Sequence, residues 1–383
     1  MKTFIIDKIK RIAVFGAHKN NAHCYLQAKE LGYYIVAIAK PLSEECRQYA
    51  DVCYEISFSE VDEVTEICRN EKVDGITSFT LESAVPFISQ VASNLGLVAN
   101  SVECIERIKT KYTQRQAFIA ADGYKYTPHF QRVNDGDDVD YSMVNFPSIV
   151  KPIDSGGSQG IYKVENRQQL EDAILKSKKK SRTGGVIIED FIDGREFSVE
   201  YLSCKGKHYF CQLTDKVTSG EPLFVEIAHH QPADVSTELL ERIKNTVESA
   251  LTALKIENSP SHTEIKLNSK NELYIIEIGA RMGGGMITSR LVKLSTGIDF
   301  VAETLALACG CFTEPKPLYS KFAGVYHYSA LTSSLSDYMH CKKTHKDIIE
   351  VKLEKETLDD VHSNADRSGY LLYQSNVNKL QLL

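Results

Sequence analysis

No apolar run in this chain approaches the roughly 18–20 residues that a membrane-spanning helix needs. The opening Met-Lys-Thr-Phe-Ile-Ile-Asp is too short to hold the apolar core of a secretory signal. A cytoplasmic protein with no membrane partner is expected. Positive charge is not in excess either: 45 Lys and Arg stand against 51 Asp and Glu, a formal net charge of −6. That balance offers nucleic acid no general attraction. The short run Lys178-Lys179-Lys180 reads as a solvated helix end. Ten cysteines occur without a CxxC pair, and only Cys309 and Cys311 lie close together. This excludes a structural zinc site and a disulfide-stapled mini-domain, and most of the thiols are expected to be buried. Internal repeats and low-complexity linkers are missing as well.

What is present is ordinary globular composition, 43% hydrophobic and 25% charged, over 383 residues. That length exceeds one compact core, so two or three subdomains are expected. Residues 11–100 alternate apolar runs (11–15, 33–39, 52–56, 73–79) with helical patterns (17–31, 61–68, 84–95), a rhythm that argues a parallel, doubly wound sheet. Gly16-Ala-His-Lys-Asn has no GxGxxG, so no dinucleotide is assigned to it. One helix is expected over 102–122, then strands at 148–152, 161–164, 185–190, 196–203 and 208–216, interrupted by a helix over 167–180. Apolar residues from Leu239 to Leu254 follow one helical face. After a hairpin come helices near 285–294 and 298–308, then a weakly patterned tail from about 313.

The hairpin is the most informative stretch. Residues 261–267 alternate, Asn268-Ser-Lys-Asn271 is a turn cluster, and 272–278 alternate again. The two strands would present Glu264 and Glu277 on one face. Hard divalent cations favour one or two carboxylates plus phosphate oxygens, and Arg281, four residues on, is placed to meet a phosphoryl group. An ordinary acidic hairpin is the competing reading. Upstream, Lys151-Pro-Ile-Asp-Ser-Gly-Gly-Ser-Gln-Gly160 joins a lysine at a strand end to a glycine-rich loop, where backbone amides can approach phosphate. Its strand–loop–strand setting and missing Gly-Lys-Ser/Thr exclude a Walker loop, and a plain glycine hairpin is the alternative. Val186-Ile-Ile-Glu189-Asp-Phe191-Ile192 could serve as an adenine hinge, with Glu196 accepting ribose hydroxyls. Either glutamate could instead be a solvated strand residue.

In this order the segments resemble the ATP-grasp superfamily, over about residues 105–310. A lysine-bearing helix (Lys111-Tyr-Thr-Gln-Arg115) comes first, followed by Phe146-Pro-Ser-Ile-Val-Lys-Pro, the glycine loop, Glu-Asp-Phe-Ile…Gly-Arg-Glu, His-Thr-Glu, and Glu-Ile-Gly-Ala-Arg. The resemblance implies an α/β chain in three parts. These are an N-terminal Rossmann-like pre-ATP-grasp domain (1–104), an ATP-grasp domain with antiparallel sheets in A and B subdomains (105–312), and a small C-terminal subdomain (313–383). It implies that Lys111 and Lys151 hold ATP phosphates and that Gly156, Gly157 and Ser158 close over them. Glu189, Phe191 and Ile192 would form the adenine hinge and Glu196 the ribose-binding acid. Glu264 and Glu277 would hold Mg²⁺, with Mn²⁺ as a substitute, and Arg281 would steady the transferring phosphoryl group. One departure stands out: many members carry Asn two residues after the second metal glutamate, where this chain has Gly279.

Glu-Ile-Gly-Ala-Arg-Met-Gly-Gly-Gly-Met-Ile, with Leu-Ser-Thr-Gly-Ile-Asp beyond it, looks most like the carbamoyl-phosphate-synthase-like branch that holds amino-acid ligases. The implied activity is carboxylate–amine ligation through an acyl phosphate, with small-molecule substrates, one of them an amino acid. Arg290, His262 and Gly284 are the candidate substrate contacts. His229-His230 is expected in a pocket-lining loop, without the acidic partners of a metal site. Relatives are often homodimers. Two alternatives remain: a purine-pathway ligase or carboxylase, which the fold does not distinguish, and a catalytically silent ATP-binding regulator, which the intact lysines, acids and arginine disfavour.

Overall fold

The computed structural model describes residues 9–123, 125–155, 159–221, 223–361 and 363–383. The N-terminal part contains β1 (Arg11–Ala17), α1 (Ala22–Glu30), β2 (Tyr34–Leu42), α2 (Glu44–Arg47), β3 (Val52–Tyr54), α3 (Val61–Asn70), β4 (Gly75–Thr77) and α4 (Val85–Leu95). Its four strands pair in parallel in the order β3-β2-β1-β4. β1 and β2 carry nearly unbroken buried apolar runs, as a sheet covered on both faces requires.

The helix expected over 102–122 is two helices, α5 (Val102–Ile108) and α6 (Lys111–Asp122). The break falls where Thr110 caps α6: its hydroxyl accepts from the Thr113 amide while the Thr113 hydroxyl accepts from the Thr110 amide. α6 leads into a second sheet of β5 (Phe130–Val133), β6 (Ser148–Pro152), β7 (Tyr162–Val164) and β8 (Val186–Asp190), antiparallel in the order β5-β8-β6-β7 and backed by α7 (Arg167–Lys178). β5 had no counterpart among the expected strands.

The remainder is one antiparallel sheet of eight strands. It takes in β9 (Arg195–Cys204), β10 (Lys207–Thr218), β11 (Glu226–Gln231), then, after α8 (Thr237–Ala253), the hairpin β12 (Ser259–Leu267) and β13 (Leu273–Gly279). A π-helical turn (Ile287–Leu291), α9 (Val292–Thr296) and α10 (Phe300–Ala308) follow, then β14 (Phe322–Tyr328), α11 (Ser336–Met339), β15 (Ile348–Leu353) and β16 (Gly369–Ser375). Two expectations are corrected here. His229 and His230 lie on β11, not in a loop, and the tail is not unpatterned: its three strands extend the main sheet from β11 in the order β14-β16-β15. Among the ten cysteines five are buried, three half-buried and two exposed, so burial is less general than expected. α8 covers β9 and β10 with Ile243, Val247, Ala250 and Leu251, part of the largest apolar core. No helix among the described residues is long and apolar enough to cross a membrane.

Candidate active site

The hairpin register places Glu264 directly opposite Glu277, so both carboxylates leave the same face. Each has a lysine partner. Lys111, at the first position of α6, donates from Nζ to Glu277 at 2.9 Å and to the Ser155 carbonyl at 2.8 Å. Lys216, near the end of β10, reaches Glu264 at 2.9 Å, Glu196 at 2.7 Å and Glu226 at 3.0 Å. Burial works against the charged form of Lys216, but the three carboxylates outweigh it and hold its pKa well above the usual value. Glu264 moves the opposite way: burial would raise it, yet Lys216 and His262 keep it well below the usual carboxylate range. Two all-oxygen side chains facing one another suit a hard divalent cation, so the residues present fit Mg²⁺. Among the described residues no group of three or more His, Cys, Asp or Glu forms a metal cage by itself. Any cation would take its remaining ligands from phosphate or water.

α6 docks along the free edge of β13. The Gln114 side-chain amide donates to the Ile278 carbonyl at 2.9 Å and accepts from the Ile278 amide at 3.0 Å, while Arg115 donates to the Ile276 carbonyl at 2.7 Å. This satisfies an edge strand with side chains and carries Lys111 to Glu277. Arg115 also meets Glu189 at 2.7 Å, and the other Glu189 oxygen pairs with Lys151. Lys151 and Glu189 stand diagonally across β6 and β8 on one face. Glu189 is 3% exposed and Arg115 0%, so the solvated reading of Glu189 is wrong. Burial alone would raise the Glu189 pKa, but Arg115 and Lys151 overcome it and bring it to about 2. Burial lowers the Lys151 pKa, with Glu189 pulling against it.

Lys151, Glu189, Phe191, Ile192, Glu196, Lys216 and Glu264 all line one cleft between the smaller sheet and the main sheet. Lys163 and Lys266 stand over the Phe191 ring at 4.5 and 5.5 Å, and Lys266 donates to the Ile192 carbonyl at 3.2 Å. The expected hinge and ribose acid therefore share a wall with Glu264, the expected metal ligand. Gly156, Gly157 and Ser158 lie outside the described residues.

Arg281 pairs through Nε with Glu82, from the loop after β4, at 2.9 Å. Its pKa is raised: burial lowers it, but Glu82 and Glu277 prevail. A Cβ at Gly279 would come within 2.4 Å of Glu82 Oε2, so the Glu82 carboxylate fills the space that an Asn side chain would need. His262 Nδ1 donates to the carboxylate of Glu200, its cross-strand neighbour on β9, at 2.6 Å, and its Nε2 is 3.6 Å from Glu264. Burial lowers the His262 pKa, but Glu200 reverses this and raises it to about 9. A Cβ at Gly283 would meet His262 Nδ1 at 2.7 Å, and one at Gly285 would meet His229 Cε1 at 2.6 Å, while Gly284 faces open space. Arg290 pairs with Glu350 on β15 at 2.6 Å. Sequence reasoning passed over Glu82, Arg115, Glu200, Lys216 and Glu226. Only Arg115 carried a signal, one helical turn beyond Lys111.

Residues 144–290 match the family model of the ATP-grasp domain. Over 273 residues the chain is 25% identical to an alanine–anticapsin ligase of Bacillus subtilis, a match covering 65% of this chain and 57% of that protein. The chain thus spans little more than half the length of this curated relative. Among solved structures, an L-amino acid ligase from Bacillus licheniformis is 24% identical with a TM-score of 0.78, covering 96% of this chain and 93% of that one. A phosphoribosylglycinamide synthetase from Anaerococcus prevotii is 21% identical with a TM-score of 0.75, covering 97% and 95%. These two likenesses establish a shared fold. Together with the domain match they show that residues 144–290 are an ATP-grasp domain within a chain of that shared fold.

Proposed function

We propose that the chain is an ATP- and Mg²⁺-dependent carboxylate–amine ligase that forms an amide through an acyl phosphate, with an amino acid as one substrate. The observation that carries this reading is the convergence of Lys111, Lys216 and Arg281 on the face where Glu264 and Glu277 stand opposite one another. Phosphoryl transfer demands little covalent help from a protein, mainly positioning and neutralisation of charge on the moving group. In this reading Lys111 and Lys151 bind phosphate oxygens, Phe191 and Ile192 border the adenine, and Glu196 receives the ribose hydroxyls. Glu264 and Glu277 hold Mg²⁺, which supplies charge neutralisation across the phosphates. Arg281 steadies the phosphoryl group and then the acyl phosphate. The substrate carboxylate so activated loses phosphate to an attacking amine. Glu82, exposed beside Arg281, offers a carboxylate to an ammonium group, which favours an amino acid over a plain acid. The alanine–anticapsin ligase and L-amino acid ligase among the similar proteins support the same substrate class.

The test is release of ADP and phosphate from ATP and Mg²⁺ against amino acids offered singly and in pairs. Release that requires a particular pair establishes ligation and names both substrates. Release with one acid alone, trapped as a hydroxamate by hydroxylamine, identifies the activated carboxylate. Silence across the matrix while nucleotide still binds would refute the amino-acid substrate.

A further inference from the structure

The C-terminal segment carried no readable motif, yet it delivers two side chains to the edge of the nucleotide cleft. Three carboxylates share the Lys216 ammonium, and the third of them, Glu226 on β11, belongs to neither the hairpin nor the hinge. Glu226 is held from outside. Arg367 NH2 donates to its carboxylate at 3.1 Å and to its carbonyl at 3.2 Å. Asn364 donates from Nδ2 to the carboxylate at 3.1 Å and accepts from the Glu226 amide at 3.1 Å. Both residues lie in the turn just before β16, two strands away from β11 in the sheet order. Arg367 Nε is buried with no partner among the described residues. A half-buried guanidinium with an unmet buried donor is a poor device for stability alone, since an apolar group of similar size would commonly serve as well.

We propose that Arg367 is a positioning residue for the nucleotide site, acting through Glu226 to fix the Lys216 ammonium. The inference rests on the ligase reading above. If ribose engages Glu196 and the cation engages Glu264, Glu226 is the partner left to Lys216, and its position decides where the ammonium points. Arg367 and Asn364 clamp both the carboxylate and the backbone of Glu226, so the ammonium stays at the border of the cation and ribose positions. The segment after α10 is thereby part of the site.

The experiment is a double-mutant cycle on binding of a non-hydrolysable ATP analogue with Mg²⁺, by calorimetry, using wild type, Arg367→Ala, Lys216→Ala and the double variant. Residues sharing one ionic network couple, so their separate effects do not add. Arg367→Ala should therefore weaken binding roughly tenfold in the wild-type background and less than twofold in the Lys216→Ala background. Equal losses in both backgrounds, or no loss in the wild-type background, would overturn the proposal. If Arg367→Ala fails to fold, Asn364→Ala takes its place in the same cycle with the same criteria. Absence of binding by the wild type would overturn the ligase reading and this inference together, whereas binding without coupling removes only the role of Arg367.

Discussion

Replacing Glu189 by Gln puts the buried ion cluster to a quantitative test. The carboxylate bridges Arg115 and Lys151, and none of the three is more than 5% exposed at its side chain. Removing one charge from a buried pair costs about 3–5 kcal/mol, because the partner is left uncompensated. Gln keeps an acceptor for one cation, so the lower end, about 3 kcal/mol, is expected. The acidity of the group leads to a similar figure. Glu189 falls from an ordinary 4.5 to about 2 in the folded chain, and each tenfold gain in acidity corresponds to about 1.4 kcal/mol, again about 3 kcal/mol. A depressed pKa contributes stability that is fully present above the unfolded value near 4.5 and is lost as the pH falls through about 2. For 383 residues, an unfolding entropy of about 2.1 cal/mol/K per residue converts 3 kcal/mol into roughly 4 °C of melting temperature. Thermal melts by circular dichroism from pH 7 to pH 3 should show Glu189→Gln melting about 4 °C below wild type at pH 7, with the gap narrowing on acidification. A variant within 1 °C of wild type at pH 7, or a gap indifferent to pH, would refute the assignment of Glu189 as the cluster's anion.

Two further outcomes follow from the cleft. Gly279→Ala puts a methyl group 2.4 Å from Glu82 Oε2, the mobile end of a side chain. Stability should hold to within about 1 kcal/mol as Glu82 turns aside, while Arg281 loses its partner and ADP formation falls at least tenfold. Unchanged turnover would show that the Glu82–Arg281 pair is not used. Removal of divalent cation with a chelator should weaken nucleotide binding by about tenfold or more, the scale of one lost charge interaction near 1.4 kcal/mol, and titration with and without Mg²⁺ reads this directly.

The parts of the fold legible in the sequence were those governed by local period. The alternation over 261–267 and 272–278 fixed both strands of the hairpin and the shared face of Glu264 and Glu277, because side chains on a strand repeat every two residues. The apolar runs of β1 and β2 were equally plain. The C-terminal strands were not: no residue of β15 is fully buried, and its place in the sheet depends on pairing with β16 rather than on its own pattern. The cations of the site were legible only where they sat in an ordered motif. Lys216 looks like any charge near a strand end, and its three carboxylates lie 20, 10 and 48 residues away in sequence. Arg290, expected as a substrate contact, has a partner that was equally illegible, since Glu350 lies 60 residues on. Three glycines in a row, Gly283 to Gly285, read as a family mark. The structure gives two of them a reason, since His262 and His229 occupy the space that their side chains would need.

Charge pairing gives the site its internal logic. Each carboxylate assigned to the cleft has a basic neighbour: Glu189 has Arg115 and Lys151, Glu277 has Lys111, Glu82 has Arg281, and Glu196, Glu226 and Glu264 share Lys216. A polyphosphate entering alone would have to take lysines from glutamates and leave those acids uncompensated in a partly buried cleft, which is unfavourable. A polyphosphate entering with its cation exchanges partners, lysine to phosphate and glutamate to metal, and no charge is left unpaired. On the proposed reading, pairing of this kind would make metal and nucleotide binding mutually dependent. Glu226 is the exception, because its own clamp in Arg367 and Asn364 lies outside the cleft. It can keep its place while the other pairs exchange, and so on the proposed reading it would hold the Lys216 ammonium where it is.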